Sequence, residues 1–383
     1  MKRFSIIFVL FFVVLFFVPS SADDALVFPK GVVRFLYYNT SMTADSFFDE
    51  DGEEISGGDY LGIPVIDMNE MMTWWGYLPH DYYIHKGKLD LTIMRSDFIF
   101  DVGVTDKISV RLWFPYYFKK QTKVSFYPPI NGEEYWLYNA LTGDDLPSNQ
   151  IVEKNAKGLA DMMVGYKQQI IGSNDIERGL RMAYSVGLRL PTSEDWDPVT
   201  NPHGDRLDDG QMDVGLWLHV DYVINDNLYI NLFTKYEHQM PGTQKINPND
   251  TVTWPFLAPG CPYDNVAVDI DYEPGTYMFA ELEPHYKIPL KDKANLELLL
   301  SFAYEKEEAG VYKFPEELAG GIELDLEDDW ELITITPTFT IENWDKDAVP
   351  FEFEIKYTYA YDGKKYPVFN RWQFNLKIYT KLF

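Results

Sequence analysis

Met212-Asp213-Val214-Gly215-Leu216-Trp217-Leu218-His219-Val220-Asp221-Tyr222-Val223-Ile224 is followed by Asn225-Asp226 and then by Asn227-Leu228-Tyr229-Ile230-Asn231-Leu232-Phe233-Thr234-Lys235-Tyr236-Glu237-His238-Gln239. In the first run Met212, Val214, Leu216, Leu218, Val220, Tyr222 and Ile224 recur at every second position, with Asp213, Trp217, His219 and Asp221 between them. A period of two is that of a strand, whose side chains point alternately to opposite faces. The two residues between the runs allow only a tight antiparallel turn.

Working outward, the same unit recurs. Leu89–Val104 and Ile108–Phe118 flank Thr105–Lys107, and the last alternating run ends on Phe383. Twelve strands are read, near Gly31–Thr43, Leu89–Val104, Ile108–Lys123, Gly158–Ile171, Glu177–Pro191, Gln211–Ile224, Asn227–Gln239, Gly275–Pro289, Asn295–Tyr304, Trp330–Asn343, Val349–Tyr361 and Phe369–Phe383. The short connections, Thr105–Lys107, Gly172–Ile176, Asn225–Asp226, Leu290–Ala294 and Trp344–Ala348, all follow even-numbered strands. The segments 46–88, 124–157, 192–210 and 240–274 are long. Tight turns at one rim and long loops at the other are the pattern of an outer-membrane barrel. The expected fold is an all-β, antiparallel, up-and-down transmembrane barrel, closed because lipid offers backbone groups no partners.

The first 22 residues read as a cleaved secretory signal: Lys2-Arg3, the apolar run Phe4–Val18, then Pro19 and the small-residue site Ser20-Ser21-Ala22. That run is shorter than the roughly 20 residues of a spanning helix. Residues 23–383 are then the barrel of a Gram-negative outer membrane, with lipid and lipopolysaccharide as its surroundings. Only Asp23–Lys30 precede the first strand, too few for a large plug domain. A formal charge of -27 argues against nucleic acid as a partner. A mean hydropathy of -0.25 fits strands with one polar face. The 27 Tyr and 10 Trp suit interfacial girdles. The single Cys261 forms no internal disulfide and reads as a shielded loop thiol.

Parity leaves two irregular places. Leu89, Leu91 and Ile93 oppose Phe98, Phe100, Val102 and Val104 in phase, which a bulge near Arg95 would reconcile. Lys381 and Phe383 fall on the polar phase of the last strand, which calls for a terminal bulge or a variant assembly signal.

Several segments resemble one family, the outer-membrane proteins named for the meta-pathway of phenol degradation (MetA-pathway of phenol degradation). They are Val102–Val110 running into Phe114-Pro115-Tyr116, then Gly158–Lys167, Gly187–Thr192 and Asp209–Leu216. These span roughly residues 89–240; beyond Thr243 the likeness is that of barrels in general. The resemblance implies an outer-membrane channel for aromatic or hydrophobic compounds.

The inward phase carries charges of both signs, including Arg95, Asp97, Arg111, Arg181, Asp213, Lys235, Glu237, Glu297, Glu352, Glu354, Lys356, Arg371 and Lys377. The candidate solute-lining set joins the aromatic Trp217, Tyr229, Phe233, Tyr277 and Phe279 to the polar His219, Asp221, Glu281, Glu283 and His285. Rings beside charges suit transient holding of an apolar solute. The alternative is a structural or surface-interaction barrel whose lumen these side chains fill, since twelve strands lie between filled eight-stranded barrels and open porins. The His-acid pairs read as rungs of a charge ladder, because nothing converges three or four ligands. No cofactor, metal or catalytic residue is expected. His238 is the one lipid-phase histidine near the loop rim, and no serine faces it, which argues against a lipid hydrolase. The acidic run Asp49–Glu54 lacks the first ligand of a calcium loop, since Phe47 stands there. The apolar stretch 63–78, with Met68, Met71, Met72, Trp74 and Trp75, reads either as a lid over the mouth or as a packed cap.

Overall fold

The computed structural model describes residues 25–57, 87–126, 151–174, 178–194, 197, 206–207, 210–246, 267–290, 294–313, 323–325, 329–343 and 349–381. The first 22 residues, read above as a signal, the apolar stretch 63–78, Cys261, Trp344–Ala348 and Phe383 lie outside the described residues.

The strands in chain order are β1 (Val32–Phe48), β2 (Glu54–Ser56), β3 (Gly87–Thr105), β4 (Ile108–Phe126), β5 (Ile151–Leu159), β6 (Met162–Ile171), β7 (Gly179–Leu190), β8 (Asp213–Asn225), β9 (Leu228–Gln239), β10 (Gly242–Ile246), β11 (Val268–Glu273), β12 (Thr276–Pro289), β13 (Ala294–Glu307), β14 (Val311–Lys313), β15 (Glu323–Asp325), β16 (Trp330–Asn343), β17 (Phe351–Lys364) and β18 (Tyr366–Lys381). The wall runs β1-β3-β4-β6-β7-β8-β9-β12-β13-β16-β17-β18, and β18 pairs back onto β1 from Val32↔Lys381 to Phe48↔Tyr366. The result is a closed 12-strand antiparallel barrel. β5 shares the β4 edge with β6 as one interrupted stave, and β2 folds back on β1. The described turns 105–107 and 225–226, with the paired ends Pro289↔Asn295 and Asn343↔Phe351, lie at one rim, as the turn pattern requires.

Outward positions form an apolar belt: Leu112, Leu188, Leu216, Leu232, Leu282, Leu300, Phe339 and Phe374 are all exposed. A continuous apolar surface of this kind belongs in lipid rather than water. Tyr222 and Tyr286 lie toward the turn rim, Tyr236, Tyr304 and Tyr361 toward the loop rim, so rings stand at both edges of the belt. Among the described residues no helix is long and apolar enough to cross a membrane; the strands do the crossing.

Four local features depart from the sequence reading. β3 has no bulge of its own. From Ala44↔Leu91 to Val33↔Val102 its register with β1 is unbroken, and the extra residue is Phe118 of β4, opposite the Met94/Arg95 step. Leu89, Leu91 and Ile93 therefore stay in phase with Arg95 and Asp97 and point inward, each at most 2% exposed. Second, β18 keeps register to Lys381, with no terminal bulge among its described residues. Third, the last hairpin is tight at the loop rim: β17 and β18 are separated only by Lys365, at φ 53. Fourth, the long segments after β9 and β13 are not open loops throughout. Their β10, β11, β14 and β15 build a second sheet in the order β10-β11-β14-β15, with Tyr272 stacked on Tyr312 at 4.5 Å.

Asp49 of the acidic run serves its own turn, accepting from the backbone N–H of Asp51 and Glu53 at 2.9 Å each. That is an ordinary side-chain-to-backbone turn closure.

Candidate functional site in the barrel interior

The inward face is layered. Toward the loop rim it is apolar: Met42, Phe47 and Phe48 of β1, Leu89, Leu91 and Ile93 of β3, Tyr117, Trp330, Leu332, Tyr366 and Phe369 pack into one buried cluster. The Trp330 ring lies 4.3 Å from Tyr366 and donates its indole N–H to Glu307 at 3.1 Å. This cluster continues inward to Trp113, Trp217, Phe233, Tyr277 and Phe279. The Trp217 ring lies against two inward glycines, Gly187 and Gly215, paired across β7 and β8. A Cβ at Gly187 would come within 1.9 Å of the indole, so the missing side chains are what let the ring lie there.

Within this layer and below it the charges are paired along and across strands. Asp101 accepts from Arg34 at 2.6 Å and from Arg111 at 2.7 Å. Asp97 holds Arg95 at 2.6 Å and the Trp113 indole N–H at 2.8 Å. Arg181 meets Asp221 at 2.8 Å, and Lys235 meets Glu237 at 2.8 Å. On the opposite wall Lys356 pairs with Glu354 at 2.6 Å, Lys377 with Glu352 at 2.9 Å, and Lys287 with Glu342 at 3.1 Å. His285 sits between Glu283 at 3.0 Å and Glu297 at 2.9 Å, one carboxylate at each ring nitrogen. The ladder reading of the histidines holds at this place. His219 instead meets the Ser185 hydroxyl at 2.8 Å and the Phe233 ring at 5.0 Å.

All ten candidate lining residues lie on the inward face, but they divide between two spaces. Trp217, His219, Phe233, Tyr277 and Phe279 border a small cavity of about 90 Å³ within the aromatic layer. Tyr229, Glu283 and His285 border a larger one, about 570 Å³, opening toward the turn rim. Asp221 and Glu281 border neither; Glu281 takes the Ser301 hydroxyl, and Asp221 is occupied as described next.

The sequence reading missed what separates the two spaces. The segment before β1 does not stay outside but enters the lumen. Ala25 N–H donates to Asp221 at 3.1 Å, Val27 N–H to Asn174 at 3.3 Å, and the Asn174 amide returns to Val27 O at 2.5 Å. Gln169 donates to Ala25 O at 3.3 Å, and Gly31 N–H to Gly103 O at 2.9 Å. Ala25 and Val27 are buried, and the Arg34 guanidinium lies 4.4 Å above the Phe28 ring. Phe28 and Tyr38 line both cavities, so this strap stands at their junction. Its hydrogen bonds to Asp221, Gln169 and Asn174 leave no local pattern to read.

The chain matches no protein-family model and no curated protein. Among solved structures it is similar to the COG4313 outer membrane channel from Pseudomonas putida F1, with 12% identity and a TM-score of 0.53, over 94% of this chain and 100% of that one. Lower similarity extends to a deletion mutant of the TodX monoaromatic hydrocarbon channel, at 9% identity and a TM-score of 0.37, over 93% and 91% of the two chains. A Pseudomonas aeruginosa FadL homologue gives 9% and 0.34, over 92% and 91%. At these identities the first likeness bears on architecture alone, and it agrees with the barrel described above.

Proposed function

We propose that this barrel is an outer-membrane channel that takes up small hydrophobic or aromatic solutes. The observation that carries the reading is the layered interior, in which an aromatic cavity adjoins a charged cavity of about 570 Å³ at Phe28 and Tyr38. That volume lies within the usual range of small-molecule sites. An apolar layer toward the outside strips water from a solute, and fixed polar groups beyond it set orientation. The surroundings are outer-membrane lipid and lipopolysaccharide, against which the apolar belt would sit.

The second reading is a structural barrel with a filled lumen. Its support is the buried cluster near the loop rim together with the strap. Liposome uptake separates the two. Protein refolded into vesicles should admit a labelled aromatic solute faster than empty vesicles, and deletion of residues 63–78 should change the rate. If neither protein exceeds empty vesicles, and planar bilayers show no conductance, the structural reading replaces the channel.

A further inference from the structure

The outward face of β4 changes character at a single step. From Ile108 to Phe118 the strand has the roughly 9–11 residues that a tilted strand needs to cross the hydrocarbon. Its outward side chains there include Leu112, Tyr116 and Phe118, and the last two rings meet at 5.0 Å. The extra residue at Phe118 then brings Lys119 into the outward phase, opposite the exposed Met94 of β3.

Above that step the register of β3, β4 and β5 builds rows. In the row nearest the lipid, Lys119 is joined by the exposed Lys157 of β5, which lies between inward Ala156 and Gly158 at the Tyr117/Lys120 step. The next row is neutral: Thr92, Gln121 and Asn155. The row after it sets Lys123 between Asp90 and Glu153. Both carboxylates already have donors. Asp90 meets Lys88 at 2.7 Å, and Glu153 accepts from Gln121 at 2.6 Å and from Asn155 at 2.9 Å. Lys119, Lys123 and Lys157 close no ion pair among the described residues, and the first two feel Glu153 only at longer range.

Within a chain of formal charge -27, the row nearest the lipid here holds two lysines and no carboxylate. Elsewhere along this rim the exposed outward positions Thr43, Asp45, Asp362 and Asn370 are neutral or acidic, and Lys306 and Lys364 both stand opposite Glu331. Directly beneath the lysines, Met94, Phe118 and Leu159 are exposed. With rising height the face offers apolar surface, then cations, then amides and a hydroxyl.

We propose that this face of β3, β4 and β5 docks one lipopolysaccharide molecule of the surrounding leaflet. Its acyl chains lie on Met94, Phe118 and Leu159, and its phosphates take Lys119 and Lys157. Each ammonium offers three donors to phosphate oxygens. Sugar hydroxyls meet Thr92, Gln121 and Asn155; the two amides spend one N–H each on Glu153 and keep the other, with the carbonyl oxygen, for the saccharide. Lys123 stands one row higher, where a further acidic group of the saccharide would reach it. A plain anionic phospholipid would leave the neutral row unmatched. The site is on the outer wall and is independent of what crosses the lumen.

The full-length barrel refolded in detergent tests this by native mass spectrometry with competing lipids. The probes are diphosphorylated lipid A, the same lipid stripped of its phosphates, and phosphatidylglycerol. The wild-type barrel should hold diphosphorylated lipid A at least about tenfold more tightly than either of the others, since each cation near an anionic headgroup adds about fivefold. Lys119→Gln, Lys123→Gln and Lys157→Gln together should weaken it by about tenfold or more, whereas the same change at Lys306, Lys364 and Lys365 should leave it within about twofold. Unaltered gel mobility before heating shows that each barrel has formed. Binding indifferent to the first triple substitution, or weakened equally by the second, overturns the site. Phosphatidylglycerol held as tightly as lipid A would make the face a general anionic-lipid contact and overturn the assignment. Displacement of lipid A by millimolar inorganic phosphate would make it a free-phosphate site and do the same.

Discussion

Asn174→Ala isolates the strap from the rest of the barrel. The Asn174 side chain makes two hydrogen bonds to Val27, accepting from its N–H at 3.3 Å and donating to its carbonyl at 2.5 Å. Each such bond contributes about 0.5–1.5 kcal/mol net, so the pair holds the strap by about 1–3 kcal/mol. That corresponds to a 5–150-fold rise in the population with residues 25–28 displaced. The contacts of Ala25 with Asp221 and of Gly31 with Gly103 remain, and the wall is untouched, so barrel stability should change little. Hydrogen exchange reads the strap directly. The Val27 amide should exchange faster by that factor, while amides in β8 and β9 keep their protection. Planar-bilayer recordings of the same protein should show more frequent openings. If Val27 exchanges at the wild-type rate, the strap is not held by Asn174 and its place at the junction of the two cavities loses its physical basis.

Leu218→Arg places a charge on the lipid face, which costs about 2–4 kcal/mol at the bilayer midplane, so its refolding yield should fall. Leu299→Arg, facing the large cavity beside Glu283, Glu297 and Glu342, should assemble well, and equal yields from the two would contradict the assigned faces. Gly187→Ala drives a Cβ into the Trp217 ring and should destabilise the barrel by about 1–3 kcal/mol in urea unfolding, a loss that adding Trp217→Leu relieves. Asp101→Asn removes the carboxylate shared by Arg34 and Arg111 and should cost up to about 3–5 kcal/mol, measured the same way; a neutral outcome would mean that water already screens the pair.

Alternation and turn spacing were enough to place twelve staves and their faces, because lipid on one side and a polar interior on the other enforce strict two-residue phase. The same rule misleads where the interior is itself apolar. Leu89, Leu91 and Ile93 carry the chemistry of lipid-facing residues, yet they point into the barrel and pack there with Met42 and Phe47. Phase alone does not tell lipid from core, so a bulge was expected on β3 when the extra residue is Phe118 on β4. The ten candidate lining residues were legible as inward because they sit on long regular strands. Their division between two cavities was not, since it depends on Phe28, which is 189 residues from Trp217 in sequence and close to it only once the barrel closes.

The small sheet above the rim joins segments that belong to different connections, β10 and β11 from one and β14 and β15 from the next. Removing either connection by mutagenesis would therefore strip a neighbour from β11 or β14 and leave an open backbone edge, a template for pairing with another chain. A single-loop deletion at this mouth would then confound lost gating with new self-association. The loop pair is the smallest unit that can be excised cleanly, and the same coupling means that an antibody raised against either peptide alone would meet a shape the intact surface does not present.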